Sequence, residues 1–145
     1  MSIPKTVLKT YPEIMNCSIL TVYRGSIAHG LYVPSSDRNS IDDKDIMSIC
    51  IPPLKYYFGL EEFGSRGTKE IKYKEWDIVV YEFKKCISLL KQGNPNILCI
   101  LWMDKDCRIK VSPEGERLLR AKGLFVGKHV FYSFTGYAQG QNYTG

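Results

Sequence analysis

The sequence predicts an α+β domain, a small mixed β-sheet with flanking helices, and three observations predict it. Runs of β-branched and aromatic residues at 18–23, 46–51 and 77–81 have the length and composition of buried strands. Apolar residues outside those runs recur at helical spacing, several times between recognisable caps. A chain of 145 residues, 44% hydrophobic and 12% aromatic, fills one core and falls short of two, so a single domain over residues 1–145 is expected.

Near the N-terminus, Val7, Leu8, Tyr11, Ile14 and Met15 approach helical spacing, so residues 4–15 read as a helix that ends or kinks at Pro12. Ser18 to Tyr23 reads as a strand running into a tight Gly25-Ser26 turn, with a short helix after it. A polar loop, Pro34 to Asp43, leads to the second strand, Ile46 to Ile51, which Pro52-Pro53 stops because proline has no N–H to donate to a sheet. Residues 56–67 show no decisive period. Lys69 to Lys74 mixes lysines with Ile71 and Tyr73 as a guarded edge strand would, and Asp77 to Tyr81 is the third apolar strand. Phe83, Ile87, Leu89 and Leu90 then follow helical spacing up to Gly93, a helix stop. Asn94-Pro95-Asn96 reads as a cap and turn, with a ligand contact as its alternative, opening a helix from Ile97 to Trp102. Ser112-Pro113 is an N-cap with proline at the first helical position, and residues 127–141 read as helical and aromatic.

Five cysteines with no C-x-x-C spacing argue against a disulfide framework and a structural zinc site; buried reduced thiols are expected for most of them. The longest apolar stretches fall far short of the ~20 residues of a membrane-spanning helix, and no signal-peptide block opens the chain. A soluble, cytoplasmic protein is expected, with no membrane partner. The net charge of +5 is unevenly placed: residues 1–65 carry six basic and seven acidic groups, residues 66–145 fourteen and eight. Such a basic bias favours a polyanionic partner, though a solvated face would look the same.

The chemistry concentrates in one pattern. A Gly-Ser turn follows a buried strand, and after a loop the triplet Asp43-Lys44-Asp45 enters the next strand. Side chains alternate along a strand, so Asp43 and Asp45 are expected on one face, where two carboxylates are costly unless a cation neutralises them. Asp77, at the start of the third strand, completes the cluster if that strand lies alongside. Three oxygen-donor carboxylates suit Mg²⁺ rather than zinc, because Mg²⁺ is hard, octahedral and prone to share its sphere with substrate phosphates. Such a set points to phosphoryl transfer, with paired metals acting on the attacking and leaving oxygens.

Several segments carry a resemblance. Gly25-Ser26, the D-x-D pair and a strand-borne third acid resemble the catalytic signature of DNA polymerase β-like nucleotidyltransferases. In order, Arg24-Gly-Ser-Ile-Ala-His-Gly30, Asp45-Ile-Met-Ser-Ile-Cys-Ile-Pro-Pro53, Asp77-Ile-Val-Val-Tyr-Glu-Phe83, Gly93-Asn-Pro-Asn96 and Gly136-Tyr-Ala138 are similar to the RNA-repair-associated polymerase β family, over roughly residues 17–141. The resemblance implies transfer of a nucleoside monophosphate from an NTP to an acceptor hydroxyl, an RNA end first of all, with pyrophosphate leaving. It implies two Mg²⁺ ions, replaceable by Mn²⁺, on Asp43, Asp45 and Asp77. Gly25 would let the backbone approach the triphosphate and Ser26 would hydrogen-bond it, while Asp77 would help ionise the acceptor hydroxyl. Family members continue into further helices, so the C-terminal helical region is expected to be truncated or absent here.

The spacer between the Gly-Ser turn and the acidic pair is longer than the family's usual one. Sixteen residues separate Ser26 from Asp43, which reads as an insertion. By counting alone, Asp37-Arg38-Asn39 stands where the pair belongs, but Asn39 offers no second charge and Asp45 leads directly into the matching strand. His29 is a candidate contact to phosphate or base, with packing against the turn as its alternative. Glu82 reads as the start of a helix, and Phe125, Phe131, Tyr132, Phe134 and Tyr137 as a core or interface stripe, with stacking on a base as the alternative. Tyr137, Gln139 and Lys128 are further candidates for nucleotide or acceptor contact. Rival functions are a catalytically inactive nucleotide- or RNA-binding module of the same fold, nucleotidylation of a protein side chain, and a purely structural domain, which leaves the paired acids without a reason.

Overall fold

The computed structural model describes residues 3–24 and 44–127. The helix expected at the N-terminus is two: α1 (Lys5–Thr10) and α2 (Glu13–Asn16). Pro12 separates them. The residue before a proline is driven out of the α region, and Tyr11 lies at φ −126°, ψ 69°.

Strand β1 (Ser18–Arg24) and strand β2 (Lys44–Cys50) pair antiparallel, and after a single short helix, α3 (Lys55–Phe58), the chain forms the hairpin of β3 (Thr68–Tyr73) and β4 (Trp76–Glu82). Strand β4 lies parallel to β2, and β5 (Arg108–Val111) pairs antiparallel with β1. The sheet order is β3-β4-β2-β1-β5. The lysine-bearing strand is at the edge, as its composition predicts. β5, four half-buried residues alternating basic and apolar, is too short for its period to announce it.

Apolar side chains leave the sheet on both faces. On one, Leu20, Val22, Met47 and Ile49 pack against α4 (Phe83–Lys91), α5 (Pro95–Leu101) and α6 (Pro113–Arg120). On the other, Tyr23, Ile46, Cys50, Ile71, Trp76, Ile78 and Val80 pack with Ile3 and Val7, and with Phe63. Phe125 joins the first core, as a packing residue. The helix caps read from the sequence form: Asn94 and Ser112 accept from the backbone N–H groups of α5 and α6, and Gly93 ends α4 at φ +72°. Glu82 caps α4, accepting from the Lys84 and Lys85 amides at 2.8 and 3.1 Å and from the Tyr57 hydroxyl at 2.6 Å. The cysteines depart from expectation: Cys50 and Cys86 are buried, but Cys17 and Cys107 are half-buried and Cys99 is exposed.

One polar cluster interrupts the core. The hydroxyls of Ser18, Thr21 and Ser48 form a closed triangle with sides of 2.5, 2.9 and 2.9 Å across β1 and β2. All three residues are buried. Ser48→Ala leaves the other two each one partner short, so it should lower stability by about 1–3 kcal/mol. Chemical denaturation with an unchanged m-value checks it.

Candidate functional site

Register places the acids. Asp45 stands opposite Asp77 on the neighbouring parallel strands β2 and β4, and both are half-buried. Two positions further along, Met47 and Val79 are opposite each other, and Met47 is in the core beneath α4 and α5. With a period of two, Asp45 and Asp77 therefore lie on that same face, at the end of the sheet, beyond the apolar core. The third strand does not lie next to both of the first two: β4 borders β2 only, and that is enough to bring the carboxylates together.

The row extends outwards in both directions. Arg24, the last residue of β1, is opposite Asp45, and Lys72 of β3 is opposite Asp77. Four strands thus present cation, acid, acid, cation in a line across one face. Adjacent strands are about 4.8 Å apart. At about 5 Å and an effective dielectric of about 20, two carboxylates repel by about 3 kcal/mol. The outer cations reduce that repulsion, and a divalent cation between the acids would reverse it.

Lys44 does not take part. Its amine contacts Glu75 at 3.3 Å and lies 5.1 Å from the centre of the Trp76 ring, on the opposite face of the sheet from Asp45. Lys44 and Asp45 thus alternate as residues of a strand do. Asp43 itself lies outside the described residues, as do Asp37, Gly25, Ser26 and His29, together with the helix expected after the Gly-Ser turn. The aromatic C-terminal segment with Lys128, Tyr137 and Gln139 lies outside them too.

Two residues near the row stand in the matching segments of the sequence, but neither was given a part in the site. The Arg24 guanidinium donates through Nη2 to Oδ1 of Asn96 at 3.2 Å, joining the end of β1 to the first turn of α5. Asn94 sets that turn by accepting from the amides of Asn96 and Ile97 at 3.0 and 3.3 Å. The cap reading of this turn is right for Asn94, but Asn96 reaches the row. Tyr81, on the same face, has its phenol pushed up by burial, against which the nearby charge of Arg24 acts.

The donor set fits a hard cation. Asp45 and Asp77 offer oxygen donors side by side on rigid strands, while the buried thiols of Cys50 and Cys86 are pushed up to about 12 by burial and stay protonated. Among the described residues no group of three acids, histidines or cysteines is gathered as a metal site. A cavity of about 310 Å³ beside Tyr57, Phe63, Glu82 and Lys84 adjoins the other end of β4, away from the acids. The row of charges, not that cavity, marks the candidate site. No described helix is long and apolar enough to cross a membrane.

A family model described as the RNA repair pathway DNA polymerase beta family matches residues 13–144. The five-stranded mixed sheet with its helices is consistent with a polymerase β-like fold. Comparison with curated proteins and with solved structures returns no match.

Proposed function

Because the chain belongs to the RNA repair pathway DNA polymerase beta family, we propose that it transfers a nucleoside monophosphate from an NTP to the hydroxyl of an RNA end, releasing pyrophosphate. The observation that carries the reading is the pairing of Asp45 with Asp77 on adjacent parallel strands, on one face, at the strand ends. Membership of the family supports nucleotidyl transfer, and the basic bias of residues 66–145 favours a polyanionic acceptor.

Asp43, Asp45 and Asp77 would hold the Mg²⁺ ions. Bound Mg²⁺ would supply neutralisation of charge on the attacking and leaving oxygens and activation of the acceptor hydroxyl. The chain's own residues do the rest. Gly25 and Ser26, which the resemblance assigns to the triphosphate, follow Arg24 directly in the sequence, so the triphosphate would lie on the β1 side of the row, and His29 is a further candidate contact to its phosphate or base. Asp77 lies on the β3 side of Asp45, and in this reading it would orient the acceptor hydroxyl. Strand-borne carboxylates hold these positions without reorganisation.

The test is transfer itself. The purified chain is incubated with Mg²⁺ or Mn²⁺, with each NTP labelled at its α-phosphate, and with a panel of RNA ends, beside an Asp43→Asn/Asp45→Asn double variant. Label on RNA and pyrophosphate release, both lost in the double variant, are the expected result. Label on protein instead would move the acceptor from RNA to a side chain. Metal-dependent NTP binding with no turnover on any acceptor would replace the enzyme by a binding module.

A further inference from the structure

We propose that Arg24 is a triphosphate-binding residue and that Asn96 is the positioning residue that holds it for that purpose. The inference rests on the nucleotidyltransferase reading and adds to it a residue and a turn to which that reading assigns nothing.

The placement comes first. Arg24 ends β1 on the face that carries Asp45 and Asp77, directly opposite Asp45, and the next two residues are Gly25 and Ser26. A triphosphate whose reacting phosphorus lies near the two acids therefore passes the position of Arg24. An arginine has five N–H donors in a rigid fork suited to phosphate oxygens. Asn96 engages one terminal nitrogen at 3.2 Å, which leaves the geometry of the fork intact and restricts its swing. The Asn96 amide is in turn bound by the Asn94 side chain, so the contact is built into the first turn of α5 and is not the chance meeting of two long side chains. α5 is itself well anchored, with Ile97, Leu98, Ile100 and Leu101 buried.

Chemistry then gives Arg24 two opposed effects. Beside Asp45 it disfavours a second cation in the absence of substrate, because like charges repel. Once a triphosphate arrives, with about four negative charges to distribute, the same guanidinium attracts it. A residue that only tied β1 to α5 would share the first effect, through its charge, but not the second, which needs direct contact with the triphosphate. The prediction is therefore a pair of changes of opposite sign.

The experiment compares wild type with Arg24→Gln, Arg24→Lys and Asn96→Ala, using Mn²⁺ alone, ATP and the other NTPs with metal, and pyrophosphate as an inhibitor of transfer. Arg24→Gln should bind Mn²⁺ alone at least as tightly as wild type, and bind NTP about 10-fold or more weakly, with pyrophosphate inhibition weakened in parallel. Arg24→Lys, which keeps the charge and loses the fork, should recover part of the NTP affinity. Asn96 is exposed, so Asn96→Ala should fold normally and raise KM for NTP several-fold with little change in kcat. Equal losses of Mn²⁺ and NTP binding, or no loss of either, would overturn the assignment of Arg24 while leaving the enzyme intact. A wild-type chain that binds Mn²⁺ but no NTP would overturn the nucleotidyltransferase reading, and this inference with it.

Discussion

Asp77→Asn and Asp45→Asn, made singly, should each lower nucleotide transfer about 10³-fold or more. Metal-assisted stabilisation of the transferring phosphoryl group is worth several kcal/mol, and each 1.36 kcal/mol is a factor of ten in rate. Either substitution keeps the shape of the side chain and removes a charge from the two-acid row. For Asp77→Asn the effect on the fold has the opposite sign from the effect on rate. In metal-free buffer the variant should melt no lower than wild type, because one of two neighbouring negative charges has gone. Added Mg²⁺ or Mn²⁺ should then raise the melting temperature of wild type and shift the variant far less, since a ligand stabilises only the state that binds it. A variant that kept its activity, or its metal-induced shift, would remove Asp77 from the site.

The two acids were legible separately and their meeting was not. Period two along a strand is a local property, so the common face of Asp43 and Asp45 could be expected; of that triplet the described residues show the alternation of Lys44 and Asp45. Strand order is non-local. Nothing in residues 76–82 says that they pair parallel with residues 44–50, or in a register that sets Asp77 against Asp45. The same distinction separates Asn94 from Asn96. A cap binds amides two and three residues ahead and can be read from its neighbours, whereas Asn96 binds Arg24, 72 residues away in the sequence. The short pieces escaped for another reason. α3 is four residues long with none buried, and β5 is held by its pairing with β1 more than by its own propensity. Helices α4, α5 and α6 were clear because each combines caps with an apolar face.

Gly115→Ala should be the most destabilising conservative substitution in the sheet's helical cover, although helix propensity alone predicts the reverse. Alanine in a helix interior is favoured over glycine by about 1 kcal/mol. At residue 115, however, an added Cβ would lie 2.0 Å from the carbonyl oxygen of Ile19 and 2.9 Å from its carbon, with Val111 Cγ1 at 3.3 Å. The carbonyl cannot simply turn away, because it accepts the Ser112 N–H at 2.9 Å, the bond that brings α6 onto β1. The absent side chain is what lets the start of α6 rest on a strand backbone. Relieving the clash means moving the helix or breaking that bond, so a net loss of about 1–3 kcal/mol is expected, or a fall of several degrees in Tm for a domain of this size. Gly123→Ala is the control: no atom lies within 4 Å of the new Cβ, and stability should stay within about 0.5 kcal/mol of wild type. The two glycines also separate fold from chemistry. Residue 115 contacts the beginning of β1, whereas Arg24 is at its other end. At a temperature where Gly115→Ala remains folded, kcat should therefore stay near that of wild type, with activity disappearing only along the melting curve. Loss of kcat in the fully folded variant would mean that the docking of α6 reaches the acids through β1, and an unchanged Tm would show that α6 can shift on the sheet at little cost.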